Sequence, residues 1–274
     1  MPELATFGQE LYYEESVRAI EQFSDEAEAR HVTAKIAELL PHPSRATRLR
    51  VASKIHQRFF KPPSTAFLKL VRNTKDETAR HDLLYWRAAR TDAAIAALAV
   101  EVFYPYFVLG EFPRGYDEDT FPIANTATLF AMDRVISRDF AVRFARDMWG
   151  FDSARTITLA LRIMKQAGVL DSVSVKLGRR HVLGYYPQPH TLAVNVFAYC
   201  LYEEFLDSTP TASLDRIHNG DCVKLFFINR LQADSLLGKM EKQKLIELAT
   251  LPSGKHVRFA FRDLSALVER LINL

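Results

Sequence analysis

A stretch in the second half of this chain occurs twice, and that recurrence limits the folds open to it. Leu161–Tyr186 reads LRIMKQAGVLDSVSVKLGRRHVLGYY and Leu237–Arg262 reads LGKMEKQKLIELATLPSGKHVRFAFR. Aligned without a gap, at an offset of 76 residues, Leu161 falls on Leu237, Met164 on Met240 and Val169 on Leu245. Leu170 falls on Ile246, Gly178 on Gly254 and Arg179 on Lys255. Apolar residues three and four apart predict an amphipathic helix in each copy. The alternation that follows predicts two short strands around a glycine-containing tip. A helix followed by a hairpin with cations at its tip is how a winged helix-turn-helix ends. Two copies are too few for a solenoid, so the pattern predicts duplication of a domain.

Upstream of the first copy, Thr126–Ile136 and Arg138–Met148 read as two helices. Trp149-Gly150-Phe151 supplies a turn, and Asp152 or Ser153 caps a third helix that Gly168 ends. In a helix-turn-helix the N-terminal residues of that third helix meet base edges. Ser153, Arg155 and Thr156 are therefore candidate DNA contacts, with Thr158, Arg162 and Lys165 further along. Strands Ser172–Leu177 and His181–Tyr186 flank Gly178, Arg179 and Arg180, and adjacent arginines suit a minor groove or a phosphate backbone. In the second copy, Thr211 or Ser213 caps a short helix to His218, and Asp221 opens another through Ile228. Gln232–Lys244 is the candidate recognition helix, and Lys255 and Arg258 are candidate contacts on the hairpin. This copy also holds Glu241 and Glu247, so it is less clearly basic. Winged units also serve as protein-interaction modules, and that reading stands beside the DNA one for both copies.

Residues 8–108 show helical periodicity with short breaks and no competing alternation, which predicts an all-helical N-terminal domain. Pro41 and Pro43 stop one helix, and Ser44 is a good N-cap for the next, Arg45 to Phe60. From Leu39 to Lys75 there is no Asp or Glu, yet nine Lys or Arg occur. Arg50, Lys54, Arg58 and Lys61 are spaced four, four and three apart, which predicts one helix face, and Arg45 and Arg48 add charge near its start. A solvated face, an acidic partner protein and DNA phosphates each account for such a stripe. Phosphate contact is the leading reading, because surface helices usually interleave the two signs.

At 274 residues, 48% hydrophobic and 25% charged, the chain can bury a core and has the composition of an ordinary folded protein. Its net charge of +3 does not by itself indicate a nucleic-acid binder, so the distribution of charge has to. Cys200 and Cys222 form no CxxC, which argues against a disulfide scaffold or a zinc site and for a reducing cytoplasm. The first residues lack the apolar run of a signal peptide. The longest apolar run, Ala93 to Leu109, is interrupted by Glu101 and Pro105 and reads as a buried helix rather than a membrane span. There is no Gly-rich phosphate loop, no HExxH and no nucleophile elbow. Asp117-Glu118-Asp119 lies between Gly115 and Phe121-Pro122 and reads as a solvated loop in preference to a metal site. Tyr199, Tyr202 and Phe205 read as core or as a dimer seam. Neither cofactor nor catalysis is expected.

Three stretches resemble the BrxA proteins of BREX phage-defence systems. The first is Leu11-Tyr12-Tyr13-Glu14-Glu15-Ser16. The second is Leu39-Leu40 with Ser44-Arg45-Ala46-Thr47-Arg48-Leu49-Arg50 and Arg58-Phe59, and the third is Trp149 through Asp171, ending Gln166-Ala167-Gly168-Val169-Leu170-Asp171. The resemblance runs loosely from about residue 8 to 172. It implies a small helical, non-catalytic DNA-binding component with helix-turn-helix modules and a likeness to the antitermination factor NusB. The chain departs from that pattern by roughly a hundred further residues, the second copy among them.

The expected architecture is mainly α, with an N-terminal helical domain (1–110), a first winged helix-turn-helix unit (123–187), and a linker helix with a second such unit (190–274). The expected function is DNA binding without catalysis in an anti-phage system. A sequence-specific transcriptional regulator and a protein–protein assembly adaptor are the alternatives. Double-stranded DNA is the expected partner, with other defence proteins and a second copy of the chain as further candidates.

Overall fold

The computed structural model describes residues 12–24, 31–61, 65–125, 130, 134–188, 190–206, 210–252 and 254–274. It is mainly helical, 62% helix and 14% strand, in line with the helical periodicity of the sequence. The helices are α1 (Tyr13–Phe23), α2 (Val32–Leu39), α3 (Arg45–Ile55), α4 (Thr65–Asn73), α5 (Glu77–Thr91), α6 (Ala93–Ala97) and α7 (Thr120–Asn125). They continue with α8 (Arg138–Trp149), α9 (Ala154–Gln166), α10 (Val194–Phe205), α11 (Leu214–His218), α12 (Asp221–Lys224), α13 (Arg230–Lys242) and α14 (Leu264–Ile272). The strands are β1 (Ile136–Ser137), β2 (Leu170–Leu177), β3 (Arg180–Pro187), β4 (Thr211–Ser213), β5 (Ile246–Leu251) and β6 (Gly254–Phe259). α3 runs on into a π-helical turn, His56–Phe60, and α6 into π-helical Leu98–Phe103 and Pro105–Leu109. Among the described residues no single helix is long and apolar enough to cross a membrane.

The chain forms two compact units that are not contiguous in sequence, unlike the three expected segments. One comprises Asp92–Thr191 and Val223–Asn229. The other comprises residues 12–91, Leu192–Cys222 and Arg230–Leu274. The first copy of the repeat lies in the former, and most of the second copy lies in the latter with the helices of residues 12–91.

The duplication extends further than the sequence alignment shows. α9 and α13 are both 13 residues long, and both their ends are 76 residues apart. The four apolar pairs at the end of the helix and the start of the hairpin are buried in both copies: Leu161 and Leu237, Met164 and Met240, Val169 and Leu245, Leu170 and Ile246. Each copy builds a three-stranded antiparallel sheet, in the orders β1-β3-β2 and β4-β6-β5. Each hairpin closes through two residues, between Leu177 and Arg180 in one and Leu251 and Gly254 in the other. The first hairpin is longer, with strands of eight residues against six.

The third strand of each sheet differs from expectation. Ile136 was expected to end a helix, but it forms β1 with Ser137 and pairs with Tyr185. Residues 126–129 and 131–133 of that expected helix lie outside the described residues. The reason is local. Ser137 caps α8 by accepting the Phe140 N–H at 3.1 Å, and an N-cap takes extended dihedrals, here φ −71° and ψ 146°. A chain that is extended just before the helix can pair with β3. Ser213 repeats the arrangement 76 residues on, capping α11 through the Arg216 N–H with φ −68° and ψ 149°. The buried Asn125 side chain holds β1 by donating to Val135 O at 2.6 Å and accepting from Ser137 N at 2.7 Å.

Two further segments depart from the sequence reading. Phe121-Pro122, read only as the flank of the acidic loop, lies in a helix the sequence did not predict, α7, where Pro122 falls in the first turn and its missing N–H costs no helical hydrogen bond. Asp117 supports that helix start by accepting from the Thr120 N–H and hydroxyl at 2.9 and 2.7 Å. The helix expected from Asp221 to Ile228 stops at Lys224, and Phe227 takes a left-handed φ of 53°.

In the unit that carries residues 12–91, α10 is the central helix, with Val196 through Tyr202 and Phe205 buried against α5, α13 and α14. A helix apolar on all sides belongs inside. Its one acidic group facing α5 is well partnered: Glu203 accepts from Tyr199 Oη and Arg87 Nη2, both at 3.0 Å, and from Trp86 Nε1. In the other unit, Phe140 packs against Tyr116 and Phe121 with ring centroids 4.9 and 5.0 Å apart, and α6 packs against α9.

Candidate nucleic-acid interface

α8 ends at Gly150, whose φ of 65° turns the chain out of the helix, and three residues later Ser153 starts α9. Ser153 Oγ accepts the Thr156 N–H at 3.3 Å and lies 2.9 Å from Thr156 Oγ1. Two of the expected base-contacting residues are thus occupied with capping. Thr158 is occupied too, donating its hydroxyl to Ala154 O at 2.7 Å. α9 buries Ile157, Ala160, Leu161, Ile163 and Met164, and so turns Arg155, Arg162 and Lys165 to the surface. Lys165 is anchored, 3.4 Å from Asp171 and bonded to Ser172 Oγ at 2.6 Å. The Ser172 N–H, the Tyr186 hydroxyl and Lys165 hold the Asp171 carboxyl below the usual carboxylate range. The hairpin that follows carries Lys176, Arg179, Arg180 and His181, all exposed around its tip, where Gly178 takes a φ of 62°. Among the described residues no carboxylate pairs with Arg155, Lys176, Arg179 or Arg180.

The same scaffold in the second copy presents different chemistry. Leu231 stands where the first copy has Arg155, Gly238 where it has Arg162, and Glu241 where it has Lys165. Of the expected contacts there, Lys255 is exposed on the hairpin, while Arg258 is paired with Glu247 at 3.0 Å.

The acid-free stretch gives a mixed result. Arg45 and Arg50 are exposed on α3. Arg48 is half-buried and donates to the carbonyls of His42 and Pro43, at 2.7 and 3.4 Å. Lys54 is half-buried, 3.5 Å from Gln57 Oε1. Arg58 is only 1% exposed, so it does not share the outward face predicted from its spacing and cannot reach a phosphate from there. The cause is tertiary. α2 and α5 pack on the segment His56–Phe60, enclosing Arg58 near Tyr13, whose phenol burial pushes well up.

The structure therefore brings Ser153, Arg155, Thr156, Arg179 and Arg180 into one unit, and places Arg45, Arg48, Arg50, Lys54, Arg58, Lys255 and Arg258 in the other. Arg162, named from the sequence as lying further along the helix, belongs to the first set, and Lys176, not singled out there, joins it; its place two residues before the hairpin tip was legible in the repeat. Among the described residues no group of three or more His, Cys, Asp or Glu side chains could hold a metal ion. No known protein family, curated protein or solved structure matches the chain.

Proposed function

We propose that the protein binds duplex DNA without chemistry of its own, and that the first copy of the duplicated unit carries the contact. The order strand, helix, helix, hairpin, with a three-stranded sheet, is that of a winged helix-turn-helix, whose second helix of the pair enters the major groove while its hairpin reaches the flanking backbone. One observation supports the reading most. The two copies share a 13-residue helix, the serine cap of an earlier helix and the buried residues, yet cations at three aligned positions of that 13-residue helix occur only in the first. The second copy folds without cations at those positions and carries Arg230, Lys239 and Lys242 elsewhere on α13, so the scaffold does not require Arg155 and Arg162, which are available for a contact. Phosphates fix such a protein on the duplex, and the position of Arg155 at the start of α9, with no carboxylate partner among the described residues, supports a base-edge contact. Arg45 and Arg50 add a second basic surface in the other unit.

Fluorescence anisotropy with a labelled duplex tests this. Arg155→Ala with Arg179→Ala and Arg180→Ala is expected to weaken binding by about tenfold or more, while Leu231→Ala leaves it within about twofold. Wild-type affinity in the triple variant contradicts the reading. On the resemblance to BrxA, we place this binding in a phage-defence system. Deleting the gene is expected to restore phage growth in a host that excludes it, and unchanged exclusion removes that assignment.

A further inference from the structure

The second copy shows a surface that the first does not. Leu231, in the first turn of α13, is 81% exposed, and Leu248 on β5 is 39% exposed. They align with Arg155 and Ser172, so two polar positions of the first copy are leucine in the second. Leu248 lines a groove of about 300 Å³ between α13 and the hairpin, together with Leu214 and Leu237. Asp234 stands on one side, and Lys255 and His256 stand on the other. Leu231 is three residues before Asp234, on the same side of the helix, and so extends the apolar floor outward.

We propose that this face pairs with the same face of a second copy of the chain. The groove and the two leucines offer apolar area that a contact would remove from water, and the arrangement of charge selects the occupant. A two-fold contact brings residue i against j and j against i. A patch with an acid on one side, a base on the other and leucines between is its own complement. Asp234 of one chain then meets Lys255 of the partner chain, twice, while leucine covers leucine. A basic or an acidic partner would leave one of the two rims facing a like charge. This inference concerns the second copy and does not depend on DNA binding by the first.

Sedimentation velocity on the full-length chain, from about 1 to about 100 µM, measures the association. The wild type is expected to dimerise in that range. Leu231→Arg with Leu248→Ser, larger changes toward the chemistry of the first copy at exposed positions, is expected to weaken the dimer by about tenfold or more. Lys255→Asp alone and Asp234→Lys alone are each expected to weaken it, and the two together to restore it. Asp234 also pairs with His218 at 2.8 Å, so circular dichroism accompanies that variant, and Lys255→Asp, on an exposed strand end, keeps the test readable if Asp234→Lys fails to fold. A wild type that stays monomeric throughout overturns the proposal. So does a dimer indifferent to the leucine changes, or one that Lys255→Asp does not weaken.

Discussion

The Tyr202 hydroxyl donates to the Leu245 carbonyl and accepts the N–H groups of Ala260 and Phe261, at 2.9 and 3.3 Å. One side chain thereby ties α10 to the turn after α13 and to the end of β6. Tyr202→Phe takes the partner from the Phe261 N–H and leaves the Leu245 carbonyl and the Ala260 N–H only their bond to each other, 3.3 Å, and the expected cost is about 1 kcal/mol by urea denaturation. A loss within error contradicts this role. Gly168 and Lys244, 76 residues apart, end their helices in the same left-handed conformation, φ 75° and 58°, and the next residue in each case bonds back to the methionine carbonyl. Glycine adopts this conformation without strain and lysine does not. Lys244→Gly is therefore expected to raise stability, and Gly168→Ala to lower it, by about 1 kcal/mol each. A Lys244→Gly protein that melts lower refutes the assignment. The glycine's role was legible in the sequence. The lysine's was not, because local propensity places lysine inside helices, and only the hydrogen bonds after α13 fix it there. Arg58 teaches the same lesson from burial: spacing gives the face of a helix, but α2 and α5 decide whether that face meets water.

At the scale of elements, the repeat made α9, α13 and both hairpins readable, since buried positions recur at helical and then alternating periods. The two short strands β1 and β4 were not readable. Two or three residues show no periodicity, and their extended backbone follows from the serine caps of the next helices. Gly184 carries a related constraint. A Cβ there would lie 2.4 Å from Val135 Cγ1, so the close approach of β3 to the residue before β1 demands a glycine that the hairpin pattern alone did not single out. The hairpins differ in their charge. Among the described residues no carboxylate pairs with Arg179 or Arg180 on the longer one, whereas the shorter one pairs Arg258 with Glu247. Arg179→Ala/Arg180→Ala is expected to reduce DNA affinity more than Lys255→Ala/His256→Ala, about tenfold against about twofold. Equal or reversed losses, with both variants folded by circular dichroism, contradict the ranking.

Across the whole molecule, the mainly helical character and the duplicated half were legible, but the partition into units was not. Residues 12–91 belong with most of the second copy, and the apolar run from Ala93 belongs with the first. Such long-range packing leaves no periodic mark in the sequence. The division still bears on function, because the cations of the first copy and the leucines of the second sit in different units with different proposed roles. The central claim is that the protein engages DNA through its phosphates, and the salt dependence of binding to duplexes of unrelated sequence tests it most directly. If about six to ten phosphates are contacted, affinity is expected to fall by about 10³–10⁵ between about 50 and about 200 mM salt. A binding constant insensitive to salt, or no binding at the lowest salt, contradicts the account.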